Sequence, residues 1–127
     1  MILSTKNKHI PCLITIFGAT GDLSHRKLFP SLFHLFQQNN LDEHIAIIGI
    51  GRRDLTNDEF RQQVASSIQH HVGNTDLLDE FMTHVYYHRH DVNDEASYQS
   101  LLTFSNELDK QYQLQGNRLF YLAMAPQ

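Results

Sequence analysis

The stretch "TIFGATGDLSHRKLFPSLF", Thr15 to Phe33, decides how the rest of the chain is read. It passes from an apolar run through a glycine turn straight into basic and apolar residues. The apolar run starts a little earlier, as "CLITIFG" from Cys12 to Gly18. A short β-branched run that stops at glycine predicts a strand buried on both faces, the mark of a parallel sheet. Beyond the turn, "LSHRKLF" starts a helix that Pro30 interrupts. Proline is accepted in the first helical turn but not in the interior. The spacing therefore predicts a bent segment over 23–29 and a main helix from about 30 to 39. Leu32, Phe33, Leu35 and Phe36 form the apolar stripe of that helix.

Outward from this stretch the pattern repeats. "IAIIGIG", Ile45 to Gly51, is a second buried strand. Thr56 and Glu59 form a capping box at the start of the next helix. Phe60, Val64, Ile68 and Val72 recur every four residues along it, and Gly73 ends it. "HVYYHRH", His84 to His90, is a strand of mixed polarity. A helix follows from Asp94 to about Tyr112, with Tyr98, Leu101, Leu102, Leu108 and Tyr112 at helical spacing. "RLFYLAMA", Arg118 to Ala125, is a fourth strand. Strands alternating with helices predict an α/β, Rossmann-like fold: a parallel sheet with helices on both faces. The third strand is the most polar, which suits the order 3-2-1-4, where it lies at the edge. The apolar fourth strand reads as an interior strand yet has no neighbour, and proteins avoid exposed apolar edges. The expectation is an incomplete sheet, with residues 1–127 the N-terminal part of a longer domain.

A chain of 127 residues predicts one domain. Its net charge of −4 argues against nucleic acid and anionic membrane as partners. Cys12 is the single cysteine, so no intrachain disulfide forms, which fits a reducing compartment. The N-terminus lacks an apolar core of signal-peptide length, and no run approaches the ~20 apolar residues of a membrane span. The expectation is a cytoplasmic protein. Cys12 reads as a small core residue. The pairs His70/His71 and His88/His90 read as surface histidines; they lack a carboxylate or thiol at ligand spacing, so no metal site is expected.

The glycine turn carries the chemistry. Gly18 ends the strand and Gly21 opens the helix, where a phosphate can approach the backbone and meet the free N–H groups of a helix start. Asp22 is placed to cap that helix. The spacing G-x-x-G alone leaves two readings open: an ordinary strand-to-helix turn, or a dinucleotide turn. No Gly-Lys-Ser/Thr follows, so it is not a Walker loop. The second strand ends "GIGRRD". NAD binders place an acidic residue there for the ribose 2′-hydroxyl, whereas Arg52 and Arg53 suit a 2′-phosphate through charge-assisted hydrogen bonds. The alternative is a pair of solvated surface arginines. Coupled to the turn, the pair favours NADP over NAD, although the interval from Gly21 exceeds the ~20 residues of the usual pattern.

"FGATGDLSHRKLFPSLFHL", "IIGIGRRDLTNDEF", "YYHRHDVNDEASY" and "GNRLFYLAMAP" together resemble the N-terminal coenzyme domain of the glucose-6-phosphate dehydrogenases, those of lactic-acid-type bacteria in particular. The resemblance covers nearly the whole chain from Ile10 onward. It implies oxidation of glucose 6-phosphate to the 6-phosphogluconolactone, the opening of the pentose phosphate pathway, with NADP as coenzyme and NAD as an additional one in some members. It implies that Gly18, Thr20, Gly21, Asp22 and Leu23 form the pyrophosphate turn and that Arg52 receives the 2′-phosphate. Arg53 falls where members vary. Lys27 matches a lysine between coenzyme and sugar, and Ala125 and Pro126 match the strand end that runs toward the nicotinamide. No catalytic residue falls within this chain; the family's catalytic histidine and its substrate domain come later. A homo-oligomer that takes glucose 6-phosphate in the full-length enzyme is the corresponding expectation. The competing reading is a free-standing NADP-binding or regulatory module without catalysis. A short-chain reductase or sugar epimerase also carries "GATG" but needs a further glycine and a Tyr-x-x-x-Lys pair, and this chain has neither.

Overall fold

The computed structural model describes residues 11–38, 44–69, 75–91 and 93–123. Gly73, Val72, His70, His71, Ala125 and Pro126, all singled out above, lie outside the described residues. The elements are β1 (Cys12–Phe17), a helical start that runs into α1 (Phe29–Gln37), β2 (Ile45–Gly51), α2 (Asn57–Gln69), α3 (Thr75–Met82), β3 (Val85–Arg89), α4 (Glu95–Tyr112) and β4 (Arg118–Leu122). The four strands form one parallel sheet in the order β3-β2-β1-β4. This is the expected Rossmann-like arrangement. Among the described residues no helix is long and apolar enough to cross a membrane.

Strand alternation divides the core in two. Ile14, Ile16, Ile45, Ile47, Val85 and Tyr87 face Phe29, Phe33, Phe60, Val64, Ile68 and Phe81 from α1, α2 and α3. Leu13, Ala46, Ile48 and Ile50 face Leu108 and Leu114 in and after α4. Both faces of β1 and β2 are therefore covered, which is why these strands read as unbroken apolar runs. The capping box forms as expected. Thr56 N–H donates to Glu59 Oε1 at 2.9 Å, and Glu59 N–H donates to Thr56 Oγ1 at 3.1 Å.

The segment before α1 is π-helical for a definite reason. Ser24–Leu28 is a π-helical turn, and the N–H of Phe29 closes on the carbonyl of Ser24. The extra residue in that turn opens the ladder where Pro30 has no N–H and where its ring would press on the preceding carbonyl.

Several expectations need correction. The helix α3 was not expected; its short amphipathic segment buries Leu78, Phe81 and Met82 beneath α1 and α2. Leu35 and Leu102, placed on apolar stripes, stand exposed. His90 is not a surface residue: it is 3% exposed, with the Tyr98 ring set edge-on at 4.5 Å between centroids, because α4 folds over the end of the edge strand. His88 is half-buried beside Phe104. The apolar β4 does lie at the sheet edge, with Leu119, Phe120, Tyr121 and Leu122 exposed.

Of the two glycines in β2, Gly49 is the more tightly packed. A Cβ there would lie 2.5 Å from the Phe60 ring and 2.9 Å from the Ala19 Cβ. Gly49→Ala is expected to lower stability by about 1–3 kcal/mol, the range for overpacking a core. Urea unfolding checks this; an unchanged midpoint would show that Phe60 repacks freely.

Candidate functional site

The site is built where β1 and β2 end side by side. Gly18 follows β1 with φ +82°, a backbone that side-chain-bearing residues rarely adopt. The turn it makes brings two N–H groups, of Gly18 and Ala19, onto the carbonyl of Ile50, each at 3.0 Å. The Gly18 carbonyl is itself held twice, by the N–H of Gly21 at 3.1 Å and by the hydroxyl of Ser24 at 3.0 Å. Ser24 is fully buried. This hydroxyl was not among the residues picked out from sequence; a serine inside a helical run gives no sign that it will fold back onto a turn carbonyl.

The helix then begins at Asp22. The N–H groups of its first turn have no helical carbonyl behind them. Asp22 does not cap this helix as expected. It lies one residue too far along, inside the first turn, where its carboxylate takes the Arg26 guanidinium at 2.8 Å. Both partners are largely exposed, so this pair contributes little to stability. At Gly21, φ is not positive, and a Cβ would meet only the Gly18 carbonyl, at 3.3 Å. The space in front of Gly21 is open, so that glycine is a matter of access; the backbone strain lies at Gly18. Leu23 is exposed beside it.

The turn and the arginine pair adjoin. A Cβ on Gly51 would lie 3.0 Å from Thr20 Cγ2 and 2.9 Å from the Tyr87 hydroxyl, so Thr20 packs directly on the strand end that leads into Arg52 and Arg53. Both arginines are exposed. Among the described residues no ion pair engages either guanidinium. An open groove of about 800 Å³ runs from Thr20 and Arg53 between the π-turn and α2, lined by His25, Arg26, Lys27, Gln63 and Ser66. Arg53 therefore shares the groove with Thr20 and Lys27, while Arg52 stands outside its lining. The groove concentrates cationic side chains, and a phosphorylated ligand is the chemistry such a surface attracts. Among the described residues no three of His, Cys, Asp and Glu gather as a metal site.

Two histidines are electrostatically perturbed. Burial, then the nearby Arg53 cation, pushes His25 below the ordinary imidazole value, with Asp22 opposing. Burial, then His90, pushes His88 in the same direction.

Residues 15–127 match the family model described as glucose-6-phosphate dehydrogenase, NAD binding domain. The glucose-6-phosphate 1-dehydrogenase of Streptococcus pneumoniae is 47% identical over 115 residues, which is 91% of this chain and 23% of that protein. The Bacillus subtilis enzyme of the same name is 45% identical over 121 residues, 95% of this chain and 24% of that protein. A glucose-6-phosphate dehydrogenase solved in complex with its substrate glucose-6-phosphate superposes with a TM-score of 0.83 at 33% identity, over 93% of this chain and 25% of that one. The chain spans about a quarter of the length of the relatives it matches.

The two perturbed histidines set a pH dependence. Each is harder to protonate folded than unfolded, so the unfolded chain binds protons first as pH falls below about 6.5. Stability is then complete above that pH and declines as pH drops toward the folded-state values. The urea midpoint should be lower at pH 5.5 than at pH 7.5, and the double variant His25→Gln/His88→Gln should show a smaller drop. A drop of the same size in the variant would assign the effect to other groups.

Proposed function

Because this chain belongs to the glucose-6-phosphate dehydrogenase family, as a coenzyme-binding domain, we propose that it holds NADP across the ends of β1 and β2 for the oxidation of glucose 6-phosphate to the 6-phosphogluconolactone. The observation that carries the reading is the junction of the Gly18–Gly21 turn with the Arg52–Arg53 segment at Gly51 and Thr20. The residues fit the coenzyme. Open space in front of Gly21 admits a pyrophosphate to the backbone, and the N–H groups of the helix start meet its charge. Thr20, Asp22 and Leu23 border the same turn. The two exposed guanidinium groups, free of carboxylates among the described residues, suit a 2′-phosphate. Arg52 takes that phosphate by family match, and Arg53 shares the task from the groove. NAD, which lacks the 2′-phosphate, is the weaker ligand.

The chemistry the coenzyme supplies when bound is acceptance of a hydride. The part played by this chain is binding and orientation, which lowers the entropic cost of bringing the reacting atoms together. Lys27 is exposed on the groove, and family match assigns it to the space between coenzyme and sugar. Ala125 and Pro126, outside the described residues, are assigned to the nicotinamide side of the coenzyme by family match alone. We place no proton acceptor for the sugar's C1 hydroxyl among the described residues, and we read the active enzyme as a cytoplasmic homo-oligomer that takes glucose 6-phosphate.

Two variants test the reading. Arg52→Ala should weaken NADP binding by about 1.5–3 kcal/mol, the range for hydrogen bonds to a charged group, and change NAD binding little. Equal losses for the two coenzymes, measured by calorimetric titration, would remove Arg52 from 2′-phosphate recognition. Gly21→Val should leave the circular dichroism spectrum near normal while abolishing binding of both coenzymes, since the added bulk fills the pyrophosphate approach. Retained binding in the folded variant would move the pyrophosphate elsewhere.

A further inference from the structure

At the exit of β2, three consecutive carbonyls each accept a hydrogen bond from β3 or its first following residue. The Gly51 carbonyl accepts from the His90 N–H at 2.8 Å. The Arg52 carbonyl accepts from Arg89 Nε at 3.1 Å, and the Arg53 carbonyl from the Tyr87 hydroxyl at 2.6 Å. Regular strand pairing stops at Gly51 and Arg89. Beyond that point two side chains, which strand alternation puts on one face of β3, continue what the backbone ladder began. Tyr87 is itself fixed. Its N–H is held by Asn57 Oδ1 at 2.8 Å, its ring packs on Phe60 with centroids 4.9 Å apart, and it is 7% exposed. Its hydroxyl crosses the strand end only because Gly51 lacks a Cβ, which would sit 2.9 Å from the hydroxyl oxygen.

The consequence is a division of labour. The backbone of the arginine segment is anchored by donors from β3, while its two guanidinium groups stay exposed and unpaired among the described residues. Anchoring a loop before binding lowers the ordering cost that a ligand would otherwise meet. We propose that Tyr87 and Arg89 are positioning residues for coenzyme discrimination, holding the Arg52–Arg53 backbone so that its side chains meet the 2′-phosphate. The inference rests on the coenzyme reading above and adds two residues that act through the arginines. Burial raises the Tyr87 hydroxyl above its ordinary pKa, which keeps it a donor throughout the neutral range.

Calorimetric titration of the intact protein with NADP and with NAD tests this. Tyr87→Phe keeps the ring and its contact with Phe60 and removes only the hydroxyl. Arg89→Met keeps most of the stem and removes the donor. Each should weaken NADP binding by about three- to tenfold, which corresponds to the net contribution of one hydrogen bond, and NAD binding by less than twofold. Equal weakening for both coenzymes would show a merely structural role and overturn the proposal. An unchanged NADP-to-NAD ratio in both variants, beside a selective loss in Arg52→Ala, would also overturn it and leave the coenzyme reading standing. If neither Arg52→Ala nor Arg53→Ala alters the ratio, the coenzyme reading falls and the positioning role falls with it.

Discussion

The carbonyl of Ile50 accepts hydrogen bonds from both Gly18 and Ala19, each at 3.0 Å. Those bonds let the end of one strand close the turn that follows its neighbour. They require Gly18 to take a positive φ, which glycine does without the Cβ penalty other residues meet. From there the rest follows in sequence. The turn places Ala19 against Gly49 and Thr20 against Gly51, the Gly18 carbonyl collects Gly21 and Ser24, and the helix begins with its open end beside the arginine segment. Loss of that junction would separate the two halves of the site even if the sheet survived.

The sheet makes the junction durable. β1 and β2 run in register from Cys12 opposite Ile45 to Phe17 opposite Ile50, with both faces covered. Parallel strands buried on both sides leave little freedom to slip, so the two C-terminal ends are held level. The edge strand β3 adds a second restraint, one strand further out. β4 on the other side is different in kind, since four consecutive apolar residues there face solvent. Apolar edges of this sort favour association with further polypeptide.

Much of this was legible in the sequence, because the strongest signals were local. Apolar runs ending in glycine marked β1 and β2, the Thr56 and Glu59 pair marked the start of α2, and Pro30 marked the irregular helical turn before α1. The Gly turn and the Arg52–Arg53 pair were legible as residue types whose chemistry suits phosphate. What was not legible depends on contacts between elements distant in sequence. The burial of His90 comes from α4 folding over the edge strand, and strand polarity alone read it as surface. The roles of Ser24 and Tyr87 come from where turn and loop carbonyls fall in space. Asp22 was read one step wrong because cap position depends on where the helix begins, which shifts by a residue without any change in pattern. The short α3 escaped because an eight-residue segment offers too few periods to stand out.

The central claim is that one junction reads both phosphate groups of the coenzyme. A crystal structure of the protein with NADP bound tests it most directly. The account predicts the pyrophosphate in front of Gly21, against the N–H groups of Asp22 and Leu23, and the 2′-phosphate within hydrogen-bond distance of the Arg52 or Arg53 guanidinium beside Thr20. A coenzyme whose 2′-phosphate points into solvent, or whose pyrophosphate lies away from the Gly18–Gly21 turn, would contradict it.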